Sequence, residues 1–490
     1  MTDFANFITV HDNDDTDRLI LSRDKWEGID IPLAVSTILG RRKIRHKVPQ
    51  WHACPEVIYP TKLCVEQCSS EATARLKREM ILSYAAPSCS GREGIRIADL
   101  TGGLGVDSFF FAGVAEKVLY NEADPVLAGA AAHNFDVLGL RNIETCNFLV
   151  EADGEAGLTE TVAAGISEGK RLTVREILGD FRPDVIYLDP ARRSAERKVF
   201  LIEDCKPDIL SLKDSLLEAA RFVAVKLSPM ADITMVANRL GRCCREISAI
   251  SADGECKEIV ALMDREYDGD CLISARTPGA VFQFLRSEEE EAEATFVQDI
   301  VVSDGGKSGQ KHSGKRLSEE TGWSEGEAAV ETLEEPDGGT PPERYELKAG
   351  MILLEPDKAL MKTAPFKLLC SRFGIAKLGV STHYYLSDGH PLSFRTGPEA
   401  GSPLSFRAGP SGGALLRAFR ILKVLPFDKR TVKAVRQEFP NAGVTARNFP
   451  IDSASLRKKL DVGESDRIHI FGLRVLDRNC LIVTEKIQTL

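Results

Sequence analysis

The sequence predicts an α/β protein: a doubly wound, Rossmann-like and largely parallel sheet, preceded by a mostly helical region and followed by α+β modules. Three observations carry that prediction. Short continuous apolar runs alternate with helical stretches between residues 95 and 227. This is the pattern of strands buried on both faces of a parallel sheet and joined by crossover helices. The last of these runs is followed by two more that flank Asp253-Gly254, a hairpin signal. A glycine-rich turn, Gly102-Gly103-Leu104-Gly105, sits where the first strand should feed a helix.

The elements follow in order. At roughly 100–200 residues per domain, 490 residues predict about three domains. Residues 1–90 read as mostly helical; Ser69 and Ser70 can cap the helix EATARLKREMILSYA, with Glu71 in its first turn. Residues 91–286 hold the sheet. Its strands are expected in Ile95–Leu100, Val118–Asn121, the segment IETCNFLV, Val185–Leu188 and Phe222–Leu227, followed by the hairpin REISAIS and KEIVALM. Helical patterns lie in DPVLAGAAAHNFDVLGL and from Ile202 to Ala220. Residues 287–345 read as an acidic linker or insertion, with EEEEAEA, GGKSGQKHSGKR and EEPDGGTPPER, and with a strand at Phe296–Val302 inside or beside it. Residues 346–430 and 431–490 form two α+β modules. Within the first, PLSFRTGP at 391–398 recurs as PLSFRAGP at 403–410, an expanded surface loop with too few copies for a repeat fold.

Composition narrows the function. Hydrophobic residues at 43% and charged residues at 28% exclude a disordered chain. No apolar run approaches the ~20 residues of a spanning helix, and MTDFANFITV lacks the basic and apolar regions of a secretory signal. Twelve cysteines form no Cys-x-x-Cys pair, so a disulfide scaffold and a zinc ribbon are not expected. The expected compartment is the reducing cytoplasm. Eight histidines are scattered without ligand spacing, so no metal is expected. The net charge of −10 is unevenly spread. Residues 1–286 carry −9 and residues 287–345 carry −11, whereas residues 346–490 hold 23 basic and 13 acidic side chains, net +10. A basic C-terminal third can meet a polyanion.

The site is expected at the carboxyl ends of the strands. In Asp99-Leu100-Thr101-Gly102-Gly103-Leu104-Gly105-Val106-Asp107, glycines let backbone N–H groups approach a ligand, and the following helix adds its dipole. The dinucleotide fingerprint G-x-G-x-x-G fails, because Ser108 occupies its last glycine position. Asp99 would repel a pyrophosphate; it suits a cationic ligand with an amino group, such as S-adenosylmethionine. Glu122, at the end of the second strand, can accept two hydrogen bonds from ribose hydroxyls, whereas Asp124 before Pro125 opens the next helix. Asp153 after the third strand is the candidate for the adenine amino group, with Glu151 and Asp180 as rivals. The fourth strand ends in Asp189-Pro190-Ala191-Arg192-Arg193. Asp189 can take a proton or hydrogen bond from an acceptor nitrogen, Pro190 stiffens the turn, and Arg192 and Arg193 can hold a phosphate or carboxylate. Lys226, ending the fifth strand, borders the same crevice and is a candidate for orienting substrate.

With these motifs in hand, residues 60–235 resemble a class I S-adenosylmethionine-dependent methyltransferase, and closely a bacterial family with ferredoxin-like and THUMP-like C-terminal domains. The resemblance is carried by EQCSSEATARLK at 66–77, DLTGGLGVD at 99–107, DPARR at 189–193 and KLSPMADI at 226–233, and further on by YELKAGMILLEPDKALMKTAPFK and by NFPIDSASLRKKL at 448–460. It implies a seven-stranded methyltransferase sheet ending in a hairpin. S-Adenosylmethionine would lie on Asp99, Thr101, Gly102, Gly103, Gly105, Asp107, Glu122 and Asp153. The substrate would be RNA, since THUMP-bearing enzymes generally modify tRNA or other RNA. Residues 346–430 would be the ferredoxin-like domain and 431–490 the THUMP-like domain.

DPARR departs from the Asn/Asp/Ser-Pro-Pro-aromatic of amino-directed nucleic-acid methyltransferases: Ala191 and Arg192 replace the second proline and the stacking aromatic. Uridine C5-methylating enzymes have a nearer motif but need a nucleophilic cysteine soon after; Cys205 is the nearby one, and it falls in an expected helix. The sequence thus points to a methyltransferase acting on RNA through its basic C-terminal region, where Arg457, Lys458 and Lys459 stand in a row, flanked by Arg430, Lys433 and Arg447. Two rivals stand beside it: a small-molecule or protein methyltransferase, and an RNA-binding protein that keeps the fold without catalysis.

Overall fold

The structure, a computed structural model, describes residues 2–88, 94–152, 170–192, 202–295, 299–302, 344–388, 407–408 and 415–487. The chain divides into two units, Met1–Pro278 and Gly279–Leu490.

The first unit opens with helices α1 (Asp3–Val10), α2 (Thr16–Leu21), α3 (Ile31–Lys47), α4 (Pro49–Ala53), α5 (Lys62–Gln67) and α6 (Glu71–Ala85). Ser70 caps α6 by accepting the Thr73 N–H, as its position before Glu71 predicts. Leu76, Met80 and Ile81 on α6 pack into one core with Ile97, Val118, Val185, Phe222 and Val260 of the sheet. Trp51, Val57 and Tyr59 pack on Leu104, Val106 and Phe110, so the N-terminal helices brace the glycine turn from outside.

The sheet strands are β1 (Arg96–Asp99), β2 (Lys117–Asn121), β3 (Ile143–Cys146), β4 (Val185–Leu188), β5 (Phe222–Leu227), β6 (Cys244–Ala252), β7 (Glu255–Asp264) and β8 (Leu272–Thr277). Their order in this unit is β8-β6-β7-β5-β4-β1-β2-β3. β1 to β5 run parallel, and β7 lies antiparallel between β5 and β6. The seven strands expected from the sequence are present, and β8 extends the edge beside β6. All four β4 residues are buried, as a strand covered on both faces requires. Asp253 (φ 54°) and Gly254 (φ 77°) make the two-residue hairpin turn, both in the left-handed region.

Helices α7 (Val106–Ala112), α8 (Pro125–Val137), α9 (Val174–Leu178), α10 (Ile209–Ala219) and α11 (Ile233–Leu240) connect these strands. Asp124 caps α8, with Pro125 at its first position, as expected.

Two local expectations are corrected. IETCNFLV is not one strand: β3 ends at Cys146, and Phe148–Glu151 pairs with Lys170–Thr173 in a separate ribbon. Side-chain hydrogen bonds divide it. Asn147 donates to the carbonyls of Glu122 and Ala123, while Asn121 holds both the N–H and the carbonyl of Phe148. The expected helix from Ile202 begins only at Ile209, capped by Asp208 after Pro207. Cys205 therefore lies in a short strand against Arg192, buried, and not in a helix.

In the second unit, β9 (Ala280–Leu285) leads into α12 (Arg286–Thr295), so the acidic segment expected from residue 287 begins as a helix. Glu289 accepts the N–H groups of Lys367 and Leu368 at 3.2 and 3.0 Å, and Glu288 pairs with Arg372 at 2.8 Å. Glu289, an acidic side chain that looked merely solvating, caps the helix Phe366–Phe373. β10 (Asp299–Val302) pairs in parallel with β11 (Arg344–Leu347); residues 303–343 lie outside the described residues, as does most of the duplicated loop.

Further on lie β12 (Ile352–Pro356), α13 (Lys358–Thr363), α14 (Phe366–Phe373), β13 (Ala376–Gly379), β14 (Thr382–Ser387), β15 (Leu416–Pro426), α15 (Lys429–Glu438), β16 (Gly443–Arg447), α16 (Ser453–Leu460), β17 (Ile468–Val475) and β18 (Arg478–Lys486). The seven strands form one sheet in the order β13-β14-β12-β15-β18-β17-β16. Alternate residues serve opposite faces: Phe471 and Ile482 join one core, whereas Ile470, Leu481 and Val483 pack with Val435 of α15 and with Leu456 and Leu460 of α16. No helix among the described residues is long and apolar enough to cross a membrane.

Candidate active site

Steric contacts explain the glycines of the turn between β1 and α7. A Cβ on Gly102 would stand 2.1 Å from the Tyr120 ring, and one on Gly105 would meet Phe135 at 2.5 Å. Gly105 also has φ 90° and Gly103 φ 54°, where L side chains are strained. Nothing lies within 4 Å of a Cβ position on Gly103, so the turn leaves open space there. Tyr120 donates to the Gly103 carbonyl and Asn121 to that of Leu100, fixing the turn on β2.

Asp99 ends β1 fully buried. Its carboxyl accepts from Ser108 Oγ at 2.6 Å and from the Thr101 N–H at 3.2 Å. Ser108 therefore has a role that the fingerprint glycine could not fill. Burial pushes the Asp99 carboxyl up to about 8. Glu122 follows β2, accepting the Gly103 N–H at 2.8 Å and the Asp124 N–H at 2.9 Å. Burial also raises its pKa, against the pull of those N–H groups. Each oxygen keeps a lone pair for a ligand hydroxyl.

On the acceptor side, Asp189 follows β4. Its backbone N–H donates to Thr101 Oγ1 at 2.6 Å, tying the two halves of the site together. Its Oδ2 accepts from Lys226 Nζ at 2.6 Å. Pro190 comes next, and the Ala191–Arg192 backbone pairs with Cys205–Lys206. Asp153 and Arg193 lie outside the described residues.

Two expected ligands are found engaged with the protein. Lys226, expected to orient substrate, is mostly buried and holds Asp189. Burial opposes its charge, but Asp189, Glu258 and Asp107 outweigh that and raise its pKa. Asp107, expected to touch the cofactor, accepts from Ser69 Oγ at 2.8 Å and from the Tyr187 hydroxyl at 2.9 Å, and lies 3.2 Å from Lys77 Nζ. Burial opposes its charge too, yet Lys77 and Lys226 hold its pKa below the usual range.

Behind Lys226, at 3.9 Å, lies Glu258 on β7, which accepts from Lys77 Nζ at 2.7 Å. Lys77 is fully buried and also donates to Ser69 Oγ at 2.7 Å. Sequence reasoning missed Lys77, Glu258 and Tyr187 as parts of this site and read Ser69 only as a helix cap. The available signal was an ionisable residue inside an apolar pattern: Glu258 within KEIVALM, and Lys77 on the core-facing side of its helix.

Arg457, Lys458 and Lys459 sit on α16 of the second unit, between buried Leu456 and Leu460. Arg457 is half-buried, 3.8 Å from Glu464; Lys458 and Lys459 are exposed, with Lys459 over the Phe427 ring. Lys429, Arg430, Lys433 and Arg436 on α15 are exposed, as is Arg447 at the end of β16. Arg436 pairs with Asp461.

These residues fit S-adenosylmethionine. Asp99 is a buried carboxyl held by a hydroxyl and an N–H, so a ligand's cationic group can supply the charge that would ionise it. Gly103 leaves backbone room, and Glu122 retains acceptor capacity. Among the described residues no group of three or more His, Cys, Asp or Glu side chains is placed to hold a metal ion.

The strand order, the reversed β7 and the glycine turn together define the class I S-adenosylmethionine-dependent methyltransferase fold. Comparison with known proteins agrees. The chain is 24% identical over 447 residues to an uncharacterised S-adenosylmethionine-dependent methyltransferase of Mycobacterium tuberculosis, found in strains CDC 1551 and H37Rv, covering 91% of this chain and 93% of the relative. A crystal structure of a proposed methyltransferase from Porphyromonas gingivalis W83 shares the fold, with 23% identity and a TM-score of 0.67 over 99% of this chain and 97% of that one. At the C-terminal end, residues 353–394 match a ferredoxin-like domain and residues 416–486 a THUMP domain-like family. The resemblance drawn from the sequence motifs is thereby borne out.

Proposed function

We infer that this chain is an S-adenosylmethionine-dependent methyltransferase that methylates RNA, either tRNA or rRNA. Its relatives and fold support methyl transfer. The observation that carries the RNA substrate is the THUMP-like match over residues 416–486, whose helices α15 and α16 present exposed lysines and arginines. Such side chains meet phosphates at little desolvation cost and release counterions on binding.

The cofactor supplies a methyl group on a sulfonium, ready for in-line displacement. The protein's task is placement. Asp99 and the Thr101–Gly105 turn hold the methionine end, and Glu122 takes the ribose hydroxyls. Asp189 accepts a hydrogen bond from the acceptor group with the oxygen that Lys226 leaves open. Pro190 stiffens that turn, and Arg192 and Arg193 serve the acceptor side.

The test is turnover of methyl-labelled S-adenosylmethionine with total cellular RNA, followed by mapping of the labelled nucleotide. Label in RNA that rises with enzyme and disappears in Asp189→Ala is the expected result. Label in protein or small molecules instead, with RNA bare, overturns the RNA reading.

A further inference from the structure

The acceptor-side carboxylate is the exposed end of a chain of alternating charges that runs into the protein: Asp189, Lys226, Glu258, Lys77 and Asp107, at 2.6, 3.9, 2.7 and 3.2 Å in turn. Its members come from β4, β5, β7, α6 and α7, so five separate elements converge on one line. Lys77 is fully buried, Glu258 and Asp107 nearly so, and the Lys226 side chain is 13% exposed; Asp189, at 37%, is the one that meets solvent. Buried ion chains contribute little net stability, because desolvation offsets attraction. A chain of four ionisable side chains behind one exposed carboxylate is poorly explained by stability alone.

We propose that Glu258 and Lys77 are positioning residues for methyl transfer, acting through Lys226 to hold the Asp189 carboxylate in one rotamer facing the acceptor. The proposal rests on the reading of Asp189 as the acceptor-side carboxylate. Lys226 occupies one side of Oδ2, so Oδ1 is the less encumbered oxygen for the substrate. Glu258 holds the Lys226 ammonium from behind and stops it from turning toward solvent or substrate. Lys77 in turn orients Glu258, and is fixed by Ser69 and Asp107. Among the described residues, Asp99 and Tyr187 also act electrostatically on the same strand end, and neither is a cation. A carboxylate held this way directs the acceptor by hydrogen bonding. It suits an acceptor that attacks with a lone pair already in place, as an amino or ring nitrogen does, and sheds its proton after the methyl group arrives. An alcohol, which must be deprotonated to attack, is a poor match.

The experiment incubates full-length protein and methyl-labelled S-adenosylmethionine with separated RNA, protein and small-molecule fractions of a cell extract. Rates are read in whichever fraction accepts label, and cofactor affinity is read by calorimetry. Lys226→Gln removes the ammonium that holds Oδ2, so kcat should fall roughly 10–100-fold, with cofactor affinity within about threefold of wild type. Glu258→Gln should slow turnover roughly 10–100-fold, the range for groups that orient a functional ligand from behind, with cofactor affinity within about threefold of wild type. In the Lys226→Gln background, the same Glu258→Gln change should cost nothing further. Lys257→Ala, an exposed neighbour on β7, should change none of these. If Glu258→Gln melts early, the paired Lys77→Met/Glu258→Gln variant removes both buried charges and takes its place. An unchanged kcat in Lys226→Gln overturns the proposal, as does an equal loss from Glu258→Gln in both backgrounds. Label in the protein or small-molecule fraction overturns the RNA reading alone, and the variants are then judged there. Wild-type protein that labels no fraction overturns both.

Discussion

With Asp99 as the proposed contact for the methionine end, cofactor binding is expected to release a proton. Its carboxyl is buried at the end of β1, and burial lifts it to about 8. At pH 7 such a group is about nine-tenths protonated in the free protein, from the distance between pH and pKa. If the cation of S-adenosylmethionine binds the ionised form, binding at pH 7 releases most of one proton from Asp99, and less as pH rises. The apparent affinity then rises from pH 7 toward pH 8, above which the ligand's α-amino group, whose ordinary pKa is about 7.7–8.0, loses its charge. The sign for folding is the reverse of the usual acid. A carboxyl whose folded pKa is raised favours the folded state below its unfolded value near 3.8, and that stability is lost as pH climbs toward 8. Ligand-free protein should therefore lose stability across this window, and Asp99→Asn should flatten the loss. The assay is calorimetry of cofactor binding in buffers of different ionisation enthalpy, where proton release appears as a buffer-dependent heat. Heat that does not depend on the buffer would refute the reasoning. So would Asp99→Asn that still releases the proton, since another group would then be titrating.

Glu122→Ala should weaken S-adenosylmethionine binding by roughly tenfold or more, since losing a charge-assisted hydrogen bond costs about 1.5–3 kcal/mol; unchanged affinity by calorimetry would remove Glu122 from the ribose site. Replacing residues 303–343 with a short Gly/Ser linker should leave the thermal midpoint nearly unchanged, whereas a replacement beginning at residue 287 should lower it by removing the Glu289 cap on α14; equal midpoints would refute the role of α12. Changing Arg457, Lys458 and Lys459 to glutamate should weaken RNA binding and flatten its salt dependence, by roughly 0.9 log units per log unit of salt for each duplex phosphate no longer neutralised, with cofactor affinity constant. An unaltered slope would make that helix face merely solvated.

Legibility follows the range of the interactions. The glycine turn is readable because each of its requirements is local: two glycines with positive φ, close packing on the next strand, and an acid at the strand end. The parallel strands are readable because burial on both faces removes polar residues from the run. The split of IETCNFLV is not, since it depends on Asn121 and Asn147 reaching across to other elements, and asparagines in loops look alike in a sequence. Glu289 reads as part of a solvating acidic run because its partners, the Lys367 and Leu368 N–H groups, lie 78 and 79 residues away. Lys77 and Glu258 are 181 residues apart, and only the closed sheet brings them to 2.7 Å. Lys226 is recognisable at the right strand end but reads as a substrate ligand, because nothing local shows that Asp189 claims its ammonium first.

The bond between the Asp189 N–H and Thr101 Oγ1 gives this arrangement its consequence. In the proposed site, Thr101 belongs to the turn that would hold the donor, and Asp189 to the strand end that would meet the acceptor. In a displacement at carbon, the reacting atoms must lie in line and about 3–3.5 Å apart, and small errors in placement cost large factors in rate. Donor turn and acceptor carboxylate share one hydrogen bond at adjacent strands β1 and β4, and Lys226 on the next strand, β5, holds the same carboxylate. On that reading, three neighbouring strands would set the donor-to-acceptor geometry. Thr101→Val keeps the shape of the side chain and removes the acceptor for Asp189. It should slow methyl transfer while leaving the methionine-binding turn, which is fixed by Tyr120 and Asn121, able to hold the cofactor. A Thr101→Val protein that loses cofactor affinity and turnover by the same factor would show that the threonine serves the donor alone.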